Sequence, residues 1–217
     1  MSGSSASTRA VCIWLHGLGD SGRGWSFFKD LFQDSFPNLS WRFPDSPYQA
    51  VTLAGGQAMP SWMDLDALPV TEKTPEDTEG YHSSSRRIHE LVDKEVAAGY
   101  TPQQIFLGGF SQGGSMALYS GLKYKETLGG IISFSGWLPQ KLWDAELKNS
   151  PTLASSRVLL VHGTFDSKVL FDRSVAAKAA LTSGGVKAVE LHDFPGDHTF
   201  AEVSQSWLTQ FFKEGGV

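Results

Sequence analysis

One serine lies at the centre of a short glycine motif. The sequence reads Gly-Phe-Ser-Gln-Gly over 109–113, with Ser111 in the middle. The apolar run 105–107 precedes the motif and the small residues 114–118 follow it, so the pattern predicts a strand, a sharp turn and a helix. At such a turn a serine is strained and faces the backbone N–H groups of the new helix. Although glycine motifs also arise by chance in a chain with 23 glycines, this context favours nucleophilic attack by Ser111 on an acyl carbonyl.

Nucleophilic catalysis by serine needs a base that accepts its proton and an acid that orients the base. Where the serine lies at a strand-to-helix turn, the acid and then the base follow it along the chain. Asp166 lies in the turn after a predicted strand, whereas Asp172 is a weaker candidate because it looks like a helix cap. His198 lies in the loop between the last predicted strand and the last predicted helix. We therefore predict that Asp166 orients His198 and that His198 activates Ser111.

The other histidines have structural explanations. His82 and His89 lie on the polar face of a predicted long helix. His162 ends a predicted strand, and His192 lies within another, where a satisfied structural histidine is expected. No His, Asp or Glu residues show metal-ligand spacing beyond chance, so neither a metal nor a cofactor is expected.

The oxyanion that develops during acyl transfer needs two N–H donors. One donor is the residue after the nucleophile, Gln112. The second should come from a loop after an early strand, and the loop 16–20 follows the first predicted strand. Glycines on both sides of Leu18 let the backbone approach a substrate, so the Leu18 N–H is the predicted second donor.

The same loop permits a different interpretation. Residues 17–22 read G-x-G-x-x-G after a strand, which is the dinucleotide-binding pattern, and Asp45 lies near the distance expected of a ribose-binding acid. An NAD-binding oxidoreductase is therefore an alternative. It is disfavoured because Pro44 and Pro47 disturb the end of the second strand, and because it leaves Ser111 without a role.

Short apolar segments alternate with helical patterns along the chain, and no internal repeat is present. This alternation predicts an α/β fold in which helices flank a mostly parallel central sheet. A single domain over 1–217 accommodates all of these elements. The predicted strands are 10–15, 40–43, 104–110, 129–133, 157–162 and 188–193, and the predicted helices are 25–33, 79–98, 112–123, 172–182 and 200–213.

A long connection over 45–78 interrupts the alternation. Loops of this length in compact domains are usually functional or disordered, and this one is too apolar to be merely disordered. It is expected to be an irregular strand-and-turn patch packed on the core, a lid or wall around an apolar substrate, or a dimer contact. The apolar residues that it carries are Leu53, Met59, Trp62, Met63, Leu65, Leu68 and Val70.

The composition narrows the function classes. The chain has 217 residues, is 41% hydrophobic and carries a net charge of -5 without a basic cluster, so nucleic-acid binding is not expected. The single cysteine, Cys12, lies in the first apolar run and fits a reducing compartment. The polar segment 1–8 looks like a flexible tail without a secretory signal, and no apolar run is long enough to span a membrane. We therefore expect a cytoplasmic protein.

Five segments together resemble the acyl-protein thioesterase and lysophospholipase-like carboxylesterase family, which includes plant members. The resemblance covers nearly the whole chain and implies a small α/β-hydrolase with only a short, lid-like apolar insertion. It further implies cleavage of acyl thioesters or carboxylic esters, with an acylated protein or a small acyl ester as substrate. The segments that carry the resemblance are 16–25, 43–47, 58–64, 107–114 and 135–139.

The resemblance also implies site residues. The acyl channel of the family corresponds to a wall formed by 53–70 and by residues near Trp137. The catalytic triad and the oxyanion donors of the family correspond to the residues already selected, which are Ser111, Asp166, His198, Leu18 and Gln112.

The sequence departs from the family pattern in two places. Some members carry an acylated cysteine at position 2, where this chain has Ser2, so membrane contact is expected to be transient. The family usually has a phenylalanine where Met63 stands, and with Leu65 nearby the channel is expected to have a different wall. Because plant members include short-acyl esterases and protein deacetylases, short-acyl specificity stays open beside depalmitoylation. A catalytically inactive receptor is a further alternative, and a monomer or weak homodimer is expected.

Overall fold

A parallel six-stranded sheet forms the centre of the molecule. The computed structural model describes residues 9–217, so the predicted tail over 1–8 lies outside the described residues. The strands are β1 (Ala10–Leu15), β2 (Leu39–Arg42), β3 (Tyr48–Val51), β4 (Gln57–Pro60), β5 (Ile105–Phe110), β6 (Gly130–Phe134), β7 (Arg157–Gly163) and β8 (Ala188–Phe194). The sheet order is β2-β1-β5-β6-β7-β8, and every pairing is parallel. The strand order reverses between β1 and β5, and ligands of open parallel sheets bind at such a point.

Helices cover both faces of this sheet. On one face α2, α3, α4 and α5 share a hydrophobic cluster with the strands, and on the other face α1 and α6 do so. The helices are α1 (Phe27–Phe32), α2 (Thr78–Ala97), α3 (Gln112–Lys123), α4 (Gln140–Ala145), α5 (Asp172–Ser183) and α6 (Ser204–Glu214).

Alternation along β1 shows why this sheet is buried on both sides. Val11, Ile13 and Leu15 pack in the cluster under α2 and α3, whereas Cys12 and Trp14 pack in the cluster under α1 and α6. Successive side chains of a strand point to opposite faces, so an uninterrupted apolar strand needs helices on both. The sequence prediction of an α/β fold with a mostly parallel sheet is confirmed.

The predicted strands agree with the observed central strands to within one residue at each end. The helix predicted over 25–33 is observed only over Phe27–Phe32, since a 3-10 helix over Gly22–Trp25 precedes it. The predicted helix 200–213 begins only at Ser204, because Phe200 packs against the rings of Phe28 and Phe134 at centroid distances of 4.9 and 5.4 Å. Tertiary packing of an aromatic side chain therefore replaces the first helical turn.

The connection over 45–78 contains a hairpin, whereas the sequence predicted only an irregular strand-and-turn patch without placing its strands. β3 and β4 pair in antiparallel fashion, apart from the central sheet. The following segment packs in a small apolar cluster that contains Leu65, Val70, Trp137 and Val169. Val70 also forms a parallel bridge with Val169. This segment is thus held against the loop that follows β7.

Cys12 is buried and unpaired, and burial raises the pKa of its thiol well above the usual value. This places the thiol in the core as a small apolar group. Among the helices within residues 9–217, none is long and apolar enough to cross a membrane.

Candidate active site

Ser111 lies at the turn between β5 and α3, with a strained backbone. Its φ of 56° and ψ of -120° are unusual for a residue with a side chain. Two interactions hold this conformation: the Ser111 N–H donates to Phe134 O at 2.7 Å, and its carbonyl accepts the Ser115 N–H at 3.0 Å. Strain of this kind persists only where the surroundings enforce it, and it is concentrated at functional sites.

The strain is enforced by close packing of α3 against the end of β1. A Cβ atom on Gly113 would clash with the carbonyl oxygens of Leu15 and His16, so only glycine fits there. A Cβ placed on Gly17 would lie 3.5 Å from the Cβ of Ser111, which shows that the loop after β1 runs beside the serine.

Asp166 and His198 form a hydrogen-bonded pair. The Nδ1 of His198 lies 2.7 Å from Oδ2 of Asp166, in the turn after β7, and the His198 ring packs on Phe110 at a centroid distance of 4.7 Å. Since the carboxylate accepts the Nδ1–H, the Nε2 of His198 is the nitrogen free to accept a proton. Backbone N–H groups of Lys168 and Val169 donate to Oδ1 of Asp166, both at 2.8 Å.

The charge of Asp166 is stabilised despite its burial. Burial acts to raise the pKa of Asp166, but hydrogen bonds from His162, His198 and the Val169 N–H outweigh it and hold the pKa well below its usual value. A permanently ionised carboxylate can orient a histidine and stabilise its cationic form.

Leu18 and Gln112, which carry the two predicted oxyanion donors, line the same cavity as Ser111. Within residues 9–217, the N–H groups of Leu18 and Gln112 donate no hydrogen bond to another protein group. The loop that carries Leu18 is fixed from outside, because the Gly19 N–H donates to Pro60 O at 2.8 Å. Two backbone donors beside Ser111 are therefore free to bind an oxygen of a ligand.

The Gln112 side chain has a role that the sequence pattern did not suggest. Its Oε1 accepts the Trp62 N–H at 2.8 Å, and its Nε2 donates to Met63 O at 2.7 Å and to Ser61 Oγ at 3.0 Å. Trp62 in turn donates from its indole to His16 O at 2.8 Å. The first residue of α3 is thereby tied to the segment after β4 and to the loop after β1.

One cavity of about 300 Å³ brings four of these residues together. Ser111, His198, Leu18 and Gln112 line it, and its walls are largely apolar. Such a volume lies at the small end of the range for ligand pockets. The further lining residues are Gly17, Asp20, Trp25, Leu65, Leu68, Val70, Phe110, Trp137, Lys168 and Val169.

The structure revises the predicted channel wall. Leu65, Leu68 and Trp137 line the cavity as expected, but four other predicted wall residues are not among its lining residues. Trp62 and Met63 are instead buried in the core, where their backbone groups bind Gln112. Leu53 lies on the outer turn of the hairpin and Met59 in β4. The apolar character of Trp62 and Met63 therefore serves packing, whereas Leu53 is exposed, and sequence spacing alone could not separate packing from lining.

The dinucleotide interpretation of 17–22 also lacks structural support. The carboxylate of Asp45, the candidate ribose ligand, already accepts the Gly22 N–H at 2.8 Å. A Cβ atom on Gly22 would clash with Phe43 O, so this glycine is needed for packing against the chain after β2. The loop faces the cavity through Gly17, Leu18 and Asp20, beside Ser111.

The central sheet is parallel and has helices on both faces, with a strained serine at a strand-to-helix turn and a His–Asp pair beyond later strands. These features define an α/β-hydrolase of the serine type. Comparison with known proteins identifies the family. The chain belongs to the phospholipase/carboxylesterase family, whose profile matches residues 2–214.

Its relatives include carboxylesterases and acyl-protein thioesterases. It is 36% identical over 210 residues to a probable carboxylesterase SOBER1-like protein of Arabidopsis thaliana, covering 95% of this chain and 79% of the relative. Acyl-protein thioesterase 1 of Yarrowia lipolytica is 34% identical over 217 residues, which cover 96% of this chain and 95% of the relative. The crystal structure of Arabidopsis thaliana SOBER1 superposes with a TM-score of 0.88 at 33% identity, and the match covers 96% of this chain and 99% of the SOBER1 chain. The protein is therefore a serine esterase or thioesterase.

Proposed function

We propose that the protein hydrolyses carboxylic esters and acyl thioesters through an acyl-enzyme formed on Ser111. His198 acts as the general base and Asp166 as the residue that orients it. The observation that carries the proposal is the 2.7 Å hydrogen bond between His198 and Asp166, in a cavity that also exposes a strained Ser111.

The proposed reaction has two halves. Ser111 Oγ attacks the acyl carbonyl while Nε2 of His198 takes the hydroxyl proton, and the N–H groups of Leu18 and Gln112 bind the oxyanion. His198 then protonates the leaving alcohol or thiol as the acyl bond breaks. A water molecule gives a proton to His198 as it attacks the acyl-enzyme, and His198 then returns that proton to Ser111 Oγ as the acid is released.

The cavity supports an apolar acyl group of short to medium length as the substrate class. Leu65, Leu68, Val70 and Trp137 offer apolar contacts to it, within a volume of about 300 Å³. The leaving group stays on the open side, where an acylated cysteine of a protein or a small alcohol can be accommodated. The name of the Yarrowia relative, acyl-protein thioesterase 1, supports the protein substrate.

Location and assembly are part of the same proposal. The unpaired, buried Cys12 supports a reducing, cytoplasmic location. We infer a monomer or a weak homodimer.

The proposal is tested by initial rates on p-nitrophenyl esters from C2 to C16 and on matched acyl thioesters. We expect the highest kcat/KM at short to medium chain lengths, with oxyesters and thioesters both cleaved. The control is Ser111→Ala, which should retain only the background rate. Equal rates for this variant and the wild type would disprove the assigned nucleophile, and a peak at C16 would disprove the chain-length assignment.

A further inference from the structure

A second histidine contacts the carboxylate of Asp166. His162 lies near the end of β7 and is fully buried. Its Nε2 lies 2.8 Å from Val169 O and 3.2 Å from Oδ2 of Asp166, and its Nδ1 lies 2.6 Å from Oγ of Ser174 in the first turn of α5. The mechanism proposed above does not use this residue.

The contacts of His162 define its tautomer. Val169 O and the Asp166 carboxylate are both acceptors, so the hydrogen of the neutral ring lies on Nε2. The Nδ1 lone pair then accepts the hydroxyl hydrogen of Ser174. A buried chain of hydrogen bonds therefore runs from Ser174 through His162 to Val169 O, and Oδ2 of Asp166 lies 3.2 Å from the same Nε2.

His162 adds a close polar contact to the hydrogen bonding of Asp166. Oδ1 accepts the N–H groups of Lys168 and Val169, Oδ2 accepts the ring N–H of His198, and Nε2 of His162 lies 3.2 Å from the same Oδ2. Both carboxylate oxygens are thus held, by three hydrogen bonds and by the approach of the His162 N–H. The plane of the carboxylate is thereby fixed, and so is the lone pair that faces His198.

We propose that His162 is a positioning residue for the His198–Asp166 pair, acting through the shared Oδ2 of Asp166. This inference rests on the proposed function. It predicts that His162 does two things: it holds the carboxylate plane in line with the His198 ring, and it withdraws part of the carboxylate charge from His198. Loss of the His162 donor should therefore leave His198 easier to protonate and less well oriented.

The groups around the pair define what a titration would report. Asp197 lies on the same loop as His198 and accepts the N–H groups of His198 and Ser167. Asp20 and Lys168 line the cavity. The ring of Phe171 contacts His162 edge-on at 5.9 Å. None of these groups changes in a His162 substitution, so a shift in the titration of His198 would report the shared carboxylate.

The test compares His162→Asn with His162→Gln. Asparagine keeps an acceptor near Ser174 but cannot reach Asp166, whereas glutamine places an amide nitrogen near the original Nε2. We expect the NMR titration midpoint of the His198 ring, and the acid limb of kcat/KM, to move up by about one pH unit in the Asn variant. kcat should fall about tenfold with KM nearly unchanged, and Gln should restore both most of the way.

An Asn variant that folds, but keeps the wild-type midpoint and kcat, would overturn the inference. A second measurement needs no variant: long-range ¹⁵N–¹H spectra of the wild type should show the His162 hydrogen on Nε2. Finding it on Nδ1 would also overturn the inference. If the wild type hydrolysed no ester, the proposed function would fail, while the His198 midpoint and the His162 tautomer would still test the inference.

Discussion

Ser111, the proposed nucleophile, adopts a conformation that costs stability. Its positive φ of 56° is shared by one other residue with a side chain in the described chain, Ser135, at 47°. Conformations of this kind cost about 1–3 kcal/mol each, and glycine adopts them without strain. The two serines therefore allow strain and catalysis to be separated.

We expect Ser111→Gly to stabilise the protein by about 1 kcal/mol and to abolish ester hydrolysis, because it relieves strain and removes the nucleophile. Ser135→Gly is the matched control, with a similar gain in stability and most of the activity retained. Urea unfolding and p-nitrophenyl ester rates measure both. A loss of stability in Ser111→Gly would contradict the expectation.

Asp166 contributes through its charge and its geometry. Asp166→Asn keeps the shape but replaces an acceptor by an amide, which favours the wrong tautomer of His198. We expect kcat to fall by roughly 10⁴ with little change in KM, by analogy with serine hydrolases in general. Steady-state kinetics checks this, and Asp172→Asn is the control, since Asp172 lies at the start of α5 and its carboxylate bonds only Arg173 among residues 9–217. Equal losses in the two variants would argue against the assignment of the acid.

At the scale of elements, the amide of Gln112 joins three segments that are distant in sequence. It binds Trp62 and Met63 from the start of α3, and Trp62 binds His16 after β1. A carboxylate at this position would face Met63 O without a donor, and an unsatisfied buried group of this kind is costly.

Gln112→Glu should therefore destabilise the fold by about 2–3 kcal/mol and reduce kcat, since both oxyanion donors are displaced with the segments that carry them. Chemical denaturation and esterase assays provide the measurement. The exposed Gln103→Glu is the control and should change neither quantity. Unchanged stability in Gln112→Glu would show that the segment after β4 is held by its packing alone.

Glu146 connects three helices at the end of α4. It accepts from His82 on α2 at 2.8 Å, from Tyr119 on α3 at 2.9 Å and from Lys123 on α3. Burial acts to raise the pKa of Glu146, but the hydrogen bonds from these three side chains lower it to about 2. Because the pKa is lower in the folded than in the unfolded state, this stabilisation is present above the ordinary glutamate pKa and is lost as pH falls toward 2.

Glu146→Gln should cost about 1 kcal/mol at pH 7, a value discounted for partial solvent exposure, and almost nothing near pH 2. Urea unfolding at both pH values measures the difference. The exposed Glu126→Gln is the control, with no pH-dependent effect expected. An equal cost at both pH values would show that Glu146 acts through packing rather than charge.

The whole molecule defines the cavity beside Ser111, because its walls come from every part of the chain. Leu18 follows β1, Leu68 precedes α2, Trp137 follows β6 and Val169 follows β7. Two leucines of the same connection, Leu53 and Leu68, are equally exposed at 38%, but only Leu68 is among the lining residues.

Leu68→Ala should raise the ratio of kcat/KM for C8 esters to that for C4 esters about tenfold. The substitution removes several carbon atoms from the cavity wall, and the longer acyl chain can occupy the space. Leu68→Phe should lower the same ratio. Leu53→Ala is the matched control and should leave the chain-length profile unchanged. A shift of equal size in Leu53→Ala would indicate that the hairpin forms part of the channel after all.

The sequence by itself determined the features that depend on neighbouring residues. The glycines around Ser111 require a tight strand-to-helix turn, and apolar runs such as β1 and β5 require burial on both faces. Parallel strands bring their carboxyl ends to one edge, so Asp166 and His198, each beyond a separate strand, were expected to meet there. The family resemblance added the acyl substrate class but did not change these residues.

Only the tertiary structure decided which apolar and polar side chains face the cavity. Trp62 and Met63 carry the same apolar signal as Leu65 and Leu68, yet the first pair packs in the core and the second lines the cavity. His162 carried the signal of an ordinary strand histidine, although its Nε2 lies 3.2 Å from the Asp166 carboxylate. The physical reason is that the hydrophobic effect is non-directional, so an apolar residue is buried equally well in the core or in a cavity wall. Its actual contacts, with residues tens of positions away, form only when the sheet is assembled.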